Sequence, residues 1–212
     1  MTNLFKRSLT SLALIFILYY AITNNFVLSV VLFFLVFIVF IEFNGIIKKI
    51  FDRDLLKFFS LIFILFYLLC FSLSIWLFLI DIDELNKQKL ILILSICIST
   101  DIGGYIFGKI IKGKKLTSLS PNKTYAGMIG SFILSLVTVT VLFKNIDIEI
   151  SLIPYTIIIS TISQLGDLFI SMLKRKAKIK DTGNFLPGHG GLLDRIDGIL
   201  FAVPFGLVII SL

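Results

Sequence analysis

A charged, glycine-rich segment between two apolar runs is the part of this sequence best suited to chemistry. It extends from Ser171 to Asp197 and combines acidic, basic and imidazole side chains with several glycines. Hydrocarbon does not tolerate such a segment, so water, a ligand or a function must explain it. Its candidate residues are Lys174, Arg175, Lys180, Asp181, Gly188, His189, Gly190, Gly191, Asp194, Arg195 and Asp197.

Four aspartates inside or beside apolar runs are candidate metal ligands. Asp101 and Asp167 lie within such runs, and Asp194 and Asp197 share one helical face because they are three residues apart. Carboxylates that cluster in a low-dielectric environment repel each other unless they are protonated, paired with cations or bound to a metal. Hard oxygen ligands of this kind suit Mg²⁺. The alternative is that these aspartates pair with basic neighbours and only hold helices together.

The turn before the last apolar run is a candidate cradle for phosphate. Gly188, Gly190 and Gly191 permit a close approach of the backbone, and a helix that begins there would present free N–H groups and its positive end. A flexible loop is the alternative. A second turn carries Lys123 and Thr124, which either bind phosphate oxygens or only follow the positive-inside bias of membrane proteins.

The elements that position these residues are predicted to be membrane helices. Hydrophobic residues make up 58% of the chain, far more than in a soluble domain. We predict an all-α, polytopic membrane bundle, with a tight turn at Asn24-Asn25 and an interfacial amphipathic helix at 44–57. The seven predicted spans are Leu9–Thr23, Phe26–Ile41, Phe58–Ile80, Leu90–Phe107, Tyr125–Phe143, Leu152–Met172 and Leu192–Leu212.

The distribution of charge predicts the orientation of these spans. Of the 20 Lys and Arg residues, all but Lys87, Lys89 and Lys144 fall on one side of the predicted membrane. By the positive-inside rule that side is the cytoplasm, and the four aspartates lie at the cytoplasmic ends of their spans. The same bias explains the net charge of +7, so we expect a lipid bilayer and no nucleic acid as partner. We therefore expect an integral protein of the cytoplasmic membrane with an active site that faces the cytoplasm.

The chain is predicted to form a single membrane domain over residues 1–212. Cys70 and Cys97 lie inside apolar runs, which is typical of small packing residues and not of a disulfide or a metal pair. Gly104 and Gly108 form a G-x-x-x-G pattern, which favours close packing of two membrane helices.

Three blocks of sequence carry a more specific signature. They are Asp101-Ile-Gly-Gly-Tyr-Ile-Phe-Gly-Lys109, Ser120-Pro-Asn-Lys-Thr124, and the positions from Gln164-Leu-Gly-Asp167 through Pro187-Gly-His-Gly-Gly191 to Asp194-Arg-Ile-Asp197. This signature resembles that of the phosphatidate cytidylyltransferases, integral membrane enzymes that make CDP-diacylglycerol from CTP and phosphatidic acid. The N-terminal half matches only in Lys6-Arg7, a helix hairpin and Glu42. The chain departs from the family at Ile102, where a hydroxyl residue is usual, and at Tyr125-Ala126, where Trp precedes Glu or Gln.

The resemblance implies that a phosphate oxygen of phosphatidic acid attacks the α-phosphorus of CTP and that pyrophosphate leaves. It also implies helices of a lipid groove in residues 1–89 and the catalytic half in residues 90–212. It leaves open a second cation besides Mg²⁺ and the choice between a monomer and a homodimer. The implied Mg²⁺ ligands are Asp167 and Asp194, with Asp197 and Asp101 as further candidates. The implied catalytic residues are Asp167, Asp194, Lys174 and Arg195, and the implied substrate-binding residues are Lys123, Thr124, Arg175, Lys180, Asp181, Gly188, His189, Gly190 and Gly191.

Three other classes of protein remain alternatives at this point. A cation- or proton-coupled transporter would use the aspartates as its pathway, although transporters commonly place their site near the midplane between broken helices. A CTP-dependent lipid kinase, such as a polyprenol kinase, would attack the γ-phosphorus and release CDP. A purely structural membrane subunit would not need the charged cluster.

Overall fold

Seven α-helices account for most of the computed structural model, which describes residues 3–80, 83–117, 120, 123–143, 151–187 and 190–211. No strand occurs among these residues. The predicted all-α architecture with seven helices is confirmed. The helices are α1 (Asn3–Thr23), α2 (Asn25–Ile50), α3 (Asp54–Leu79), α4 (Glu84–Ile111), α5 (Tyr125–Leu142), α6 (Leu152–Lys176) and α7 (Leu193–Ser211).

Five of the described helices, α2 to α6, are long and apolar enough to cross a membrane. In α1 the apolar part, Leu9–Thr23, is shorter, and α7 carries Asp194, Arg195 and Asp197 in its first two turns. Large apolar side chains such as Phe33 remain exposed along these helices. In a bilayer this surface faces lipid, so the chain is an integral membrane protein.

The loop between α2 and α3 is shorter than the sequence predicted. α2 continues to Ile50 and α3 begins at Asp54, so the prediction of a separate interfacial helix at 44–57 is wrong. The physical reason is that Ile46 and Ile47 are buried inside the protein and do not rest on a membrane surface. The predicted turn at Asn24-Asn25 is confirmed, because the Asn24 side chain caps the first N–H groups of α2.

The chain divides into two compact units. Unit 1 contains Met1–Glu84 and Leu173–Ile196, and unit 2 contains Leu85–Met172 and Asp197–Leu212. The predicted boundary at residue 89 lies close to the first of these divisions, but residues 173–196 group with the N-terminal helices. In unit 1, α2 packs against both α1 and α3. The Trp76 indole donates a hydrogen bond to Ser29 Oγ at 3.1 Å across this packing.

Buried hydroxyl groups connect the helices of unit 2. Ser131 Oγ on α5 donates to the Thr100 carbonyl on α4 at 2.7 Å, and Thr100 Oγ1 donates to Ser160 Oγ on α6 at 2.8 Å. Tyr155 on α6 donates to the Gly206 carbonyl on α7 at 3.0 Å. Hydrogen bonds of this kind satisfy polar groups in an apolar interior and fix which helix faces meet.

The glycines of α4 let α5 approach closely, and this gives a first testable prediction. A methyl group on Gly103 would lie 2.5 Å from the Gly130 carbonyl oxygen, and one on Gly104 would lie 2.9 Å from Ser131 Oγ. The predicted packing role of the Gly104–Gly108 pattern is confirmed. We expect Gly103→Ala to lower the free energy of unfolding by about 1–3 kcal/mol, measured by SDS titration in mixed micelles.

Gly45 on α2 provides the matched control for that substitution. A methyl group added there meets no atom within 4 Å. Because alanine favours the helix over glycine by roughly 0.5–1 kcal/mol, Gly45→Ala should leave the free energy of unfolding unchanged or raise it. Equal losses of stability in the two variants would mean that close packing of α4 on α5 does not explain the effect.

Candidate active site

The first charged centre lies in unit 1, where the end of α6 meets the start of α7. Lys174 Nζ lies 2.7 Å from Asp194 Oδ1, and the two side chains are only 15% and 9% exposed. Asp194 Oδ2 accepts hydrogen bonds from the Thr182 N–H at 2.8 Å, the Thr182 hydroxyl at 3.0 Å and the Gly191 N–H at 3.3 Å. Both oxygens of Asp194 are therefore engaged, and they tie the loop between the helices to α7.

Glu42 on α2 is a second carboxylate of this centre. Its side chain is buried, with 6% of the residue exposed. Oε1 accepts from the Leu192 N–H at 2.9 Å, while Oε2 accepts from the Leu193 N–H at 2.7 Å and the Thr182 hydroxyl at 2.9 Å. We call Glu42, Lys174, Thr182 and Asp194 the Glu42–Asp194 centre. The sequence prediction did not include Glu42 among the site residues, although a lone carboxylate inside a long apolar run is a signal for one.

The N–H groups of the turn before α7 already have partners inside the protein. Gly190 donates to the Leu186 carbonyl at 3.2 Å, Gly191 donates to Asp194, and the next two residues donate to Glu42. The prediction of free N–H groups here is wrong for residues 190–193. Acidic side chains of the chain itself occupy the positive end of α7, which is where a phosphate was expected.

The other residues predicted to bind substrate lie in the turn before α7, on the exposed surface of this segment, or outside the described residues. Gly190 has a φ of 85°, in the left-handed region that favours glycine, so its presence is explained by the turn itself. Gly188 and His189 lie outside the described residues. Substrate contacts of these residues stay a prediction, as do those of the side chains that the structure leaves exposed in this segment: Arg175, Lys180, Asp181 and Arg195.

The second charged centre lies in unit 2 and brings two carboxyl groups into contact. The carboxyl groups of Asp167 on α6 and Asp197 on α7 lie close enough to interact directly, and Lys123 forms an ion pair with Asp167. Asp101 on α4 is close enough to interact electrostatically with both aspartates and with Lys123. We call these four residues the Asp167–Asp197 centre. Two carboxyl groups in contact repel each other unless a proton or a cation lies between them.

Small residues next to the two aspartates explain how their helices come so close. A methyl group on Gly166 would lie 2.9 Å from the Asp197 carbonyl oxygen, and one on Gly198 would lie 2.5 Å from Ser163 Oγ. Each aspartate is thus adjacent in sequence to the glycine that permits the contact. The Ser163 hydroxyl is buried at this crossing, next to the Cys97 thiol.

Lys123 and Thr124 are held at the start of α5. The Thr124 hydroxyl accepts from the Gly127 N–H at 3.1 Å and caps α5, so this side chain has a structural role. Its predicted contact with substrate is untested and stays a prediction. The neighbouring Lys123 is oriented by the Leu116 N–H, which donates to its carbonyl at 2.8 Å. The cap and this hydrogen bond place the lysine where it reaches Asp167.

A ready-made metal site would need three or more ligand side chains close together. Within the described ranges, no three acidic, His or Cys side chains are close enough to hold a metal ion by themselves. The four aspartates predicted as ligands therefore do not form such a group. Mg²⁺ at nucleotide sites is commonly held by one or two carboxylates, with substrate phosphates and waters as the other ligands. The contact between Asp167 and Asp197 fits that requirement.

Comparison with known proteins agrees with the composition of these centres. The chain is 42% identical over 140 residues to the phosphatidate cytidylyltransferase of Bacillus subtilis (strain 168). The matched residues are 63% of this chain and 52% of that protein. It is 46% identical over 109 residues to the phosphatidate cytidylyltransferase of Staphylococcus saprophyticus, and these residues are 50% of this chain and 42% of that protein. The matched part is thus about half the length of these curated relatives. The model of the Cytidylyltransferase family matches residues 2–212. With nearly its whole length matched, the chain belongs to the cytidylyltransferase family.

Proposed function

We propose that this protein transfers CMP from CTP to phosphatidic acid and forms CDP-diacylglycerol and pyrophosphate. The observation that carries the proposal is the pair of contacting carboxyl groups, Asp167 and Asp197, beside Lys123 in a membrane-spanning member of the cytidylyltransferase family. The curated relatives bear the name of this activity. A purely structural membrane subunit would not need two neighbouring carboxyl groups, whose repulsion destabilises the protein in a low-dielectric environment.

The proposed reaction needs alignment of two anions more than it needs a general base. A phosphate oxygen of phosphatidic acid is already negatively charged at neutral pH. It forms a bond to the α-phosphorus of CTP while the bond from that phosphorus to the bridging oxygen breaks, and pyrophosphate carries away the electron pair. The chain must therefore bring two mutually repelling polyanions together.

The residues of the chain divide this task between them. Asp167 and Asp197 would hold Mg²⁺, which when bound neutralises phosphate charge and aligns the nucleotide. Lys123 orients Asp167 through their ion pair. The exposed basic side chains Arg175 and Lys180 bind phosphate oxygens. The contacts of Asp194 favour a role in holding Lys174 and the loop, and its predicted Mg²⁺ ligation stays a prediction.

The proposed location of the reaction follows from the substrates and the charge bias. CTP is soluble and phosphatidic acid is a membrane lipid, so the site must lie where cytoplasm meets bilayer. The concentration of Lys and Arg in the loops that carry these residues supports a cytoplasmic orientation in the inner membrane.

The leaving group is the measurement that tests this proposal. Purified protein in micelles with phosphatidic acid, Mg²⁺ and CTP labelled in the cytosine ring should yield labelled CDP-diacylglycerol and an equal amount of pyrophosphate. Release of labelled CDP with phosphorylation of a polyprenol would assign a lipid kinase instead. Folded protein that forms neither product, but moves a cation or protons across liposomes, would assign a transporter.

A further inference from the structure

The carboxylate of Glu42 fills a site that is built around it. Leu192 and Leu193 donate their backbone N–H groups to its two oxygens, one to each, and Thr182 adds its hydroxyl. All three donors belong to the segment that leads into α7, while Glu42 comes from α2. A single buried side chain therefore connects a membrane helix to the loop that carries Lys174 and Asp194 at its ends.

The backbone on the other side of this carboxylate has no room for side chains. A methyl group on Gly183 would lie 2.9 Å from Glu42 Oε1. One on Gly191 would collide first with Thr182 Oγ1, and it would lie 2.8 Å from Glu42 Oε2 and 2.9 Å from Oε1. Such contacts are too close for a real carbon atom, so residues larger than glycine would displace Glu42. Gly183 is thus explained by the approach of an internal carboxylate, and Gly191 by that carboxylate together with the Thr182 hydroxyl, without any external anion.

Thr182 connects the two acidic side chains of the centre. Its hydroxyl lies 2.9 Å from Glu42 Oε2 and 3.0 Å from Asp194 Oδ2. A hydroxyl group has one proton and donates it to one acceptor at a time. The positions of Glu42 and Asp194 are therefore linked through one atom, and a displacement of either carboxylate changes the hydrogen bonding of the other.

From these contacts we infer that Glu42 is a positioning residue for the proposed reaction. Its carboxylate takes the place of a bound anion at the N-terminus of α7 and thereby fixes Thr182, Leu192 and Leu193. Through Thr182 it also fixes the pair formed by Lys174 and Asp194. Glu42 does not need to touch a substrate for this role. The inference rests on the proposed function only for its effect on turnover.

The variant Glu42→Ala tests this inference, because acetate matches the group that the substitution removes. Loss of hydrogen bonds to a charged acceptor should lower kcat for CTP about tenfold to a hundredfold. It should also raise the rate of tryptic cleavage after the exposed Lys178 and Lys180, about tenfold or more. Added acetate should restore part of the activity and part of the protection. Acetamide has the same shape but no charge, and it should restore neither.

Two variants of Thr182 test the link between the carboxylates. Thr182→Ser keeps the hydroxyl and should retain most of the activity, whereas the isosteric Thr182→Val should lose several-fold. In the Glu42→Ala background, Thr182→Val should have a smaller effect than in wild type, because only the hydrogen bond to Asp194 remains to be lost. Independent effects that multiply in the double variant would contradict a role of Glu42 through Thr182.

The outcomes separate this inference from the proposed function. Wild-type protein that converts no CTP overturns the proposed function, yet acetate protection of Glu42→Ala against trypsin would still support the positioning role. Turnover and cleavage that match wild type in Glu42→Ala would overturn the inference. So would equal rescue by acetamide, or a general loss of thermal stability that acetate does not reverse.

Discussion

Asp197→Asn should lower the rate of CDP-diacylglycerol formation at least about a hundredfold and at the same time make the protein more stable. The rate falls because the variant loses one of the two carboxylates proposed to hold Mg²⁺. Stability rises because an amide can donate to Asp167 and still accept the Gly198 N–H, which the aspartate accepts at 2.9 Å. Removing repulsion of this kind from a functional site commonly stabilises a protein by about 0.5–2 kcal/mol.

Two measurements on the same purified variant check this prediction. The first is turnover of labelled CTP, and the second is the free energy of unfolding from SDS titration in mixed micelles. Asp54→Asn serves as control, because the Asp54 side chain is 96% exposed and pairs with Lys57 one turn away. It should change neither quantity. Full activity in Asp197→Asn would remove Asp197 from the site, and a loss of stability would mean that its carboxyl group is satisfied as it stands.

The sequence was sufficient to predict the helices, because their signal is local. A run of apolar residues long enough to cross a bilayer has few alternatives to a helix. The segment 44–57 shows the limit of that reasoning. Its mixed pattern of apolar and charged residues fits an interfacial helix as well as the end of a span, and only the burial of Ile46 and Ile47 decides between them.

The sequence predicted less of the site, because contacts between residues far apart along the chain form it. Gly190 and Gly191 beside a helix start are typical of a phosphate cradle. The acceptor that fills this turn, Glu42, comes from a helix far away in sequence, so no local pattern indicates the contact. The same applies to the aspartates. The spacing along the chain groups Asp194 with Asp197, whereas the contacts place Asp194 in the Glu42–Asp194 centre and Asp197 in the Asp167–Asp197 centre.

The two aspartates of α7, Asp194 and Asp197, should have opposite effects on stability. Asp194→Ala should lower the free energy of unfolding by about 3–5 kcal/mol, because it leaves the mostly buried Lys174 without its counter-charge. It also removes the acceptor of the Thr182 and Gly191 donors. Lys174→Met should lower it less, by about 1.5–3 kcal/mol, because Asp194 keeps its other three donors. SDS titration of both variants measures these changes.

The double variant and a surface pair complete this test. Lys174→Met combined with Asp194→Ala should lose less stability than the sum of the single variants, because the second substitution removes the charge that the first one strands. Asp54→Ala breaks the exposed pair with Lys57 and should have no measurable effect. If Asp194→Ala instead stabilised the protein, as Asp197→Asn is expected to do, the Asp194 carboxylate would have to be destabilising in the folded protein in the same way as that of Asp197. A large loss at Asp194 with a gain at Asp197 would show that two aspartates three residues apart on one helix have opposite effects on stability. That is the result expected if Asp194 holds the loop and Asp197 is kept for binding a cation.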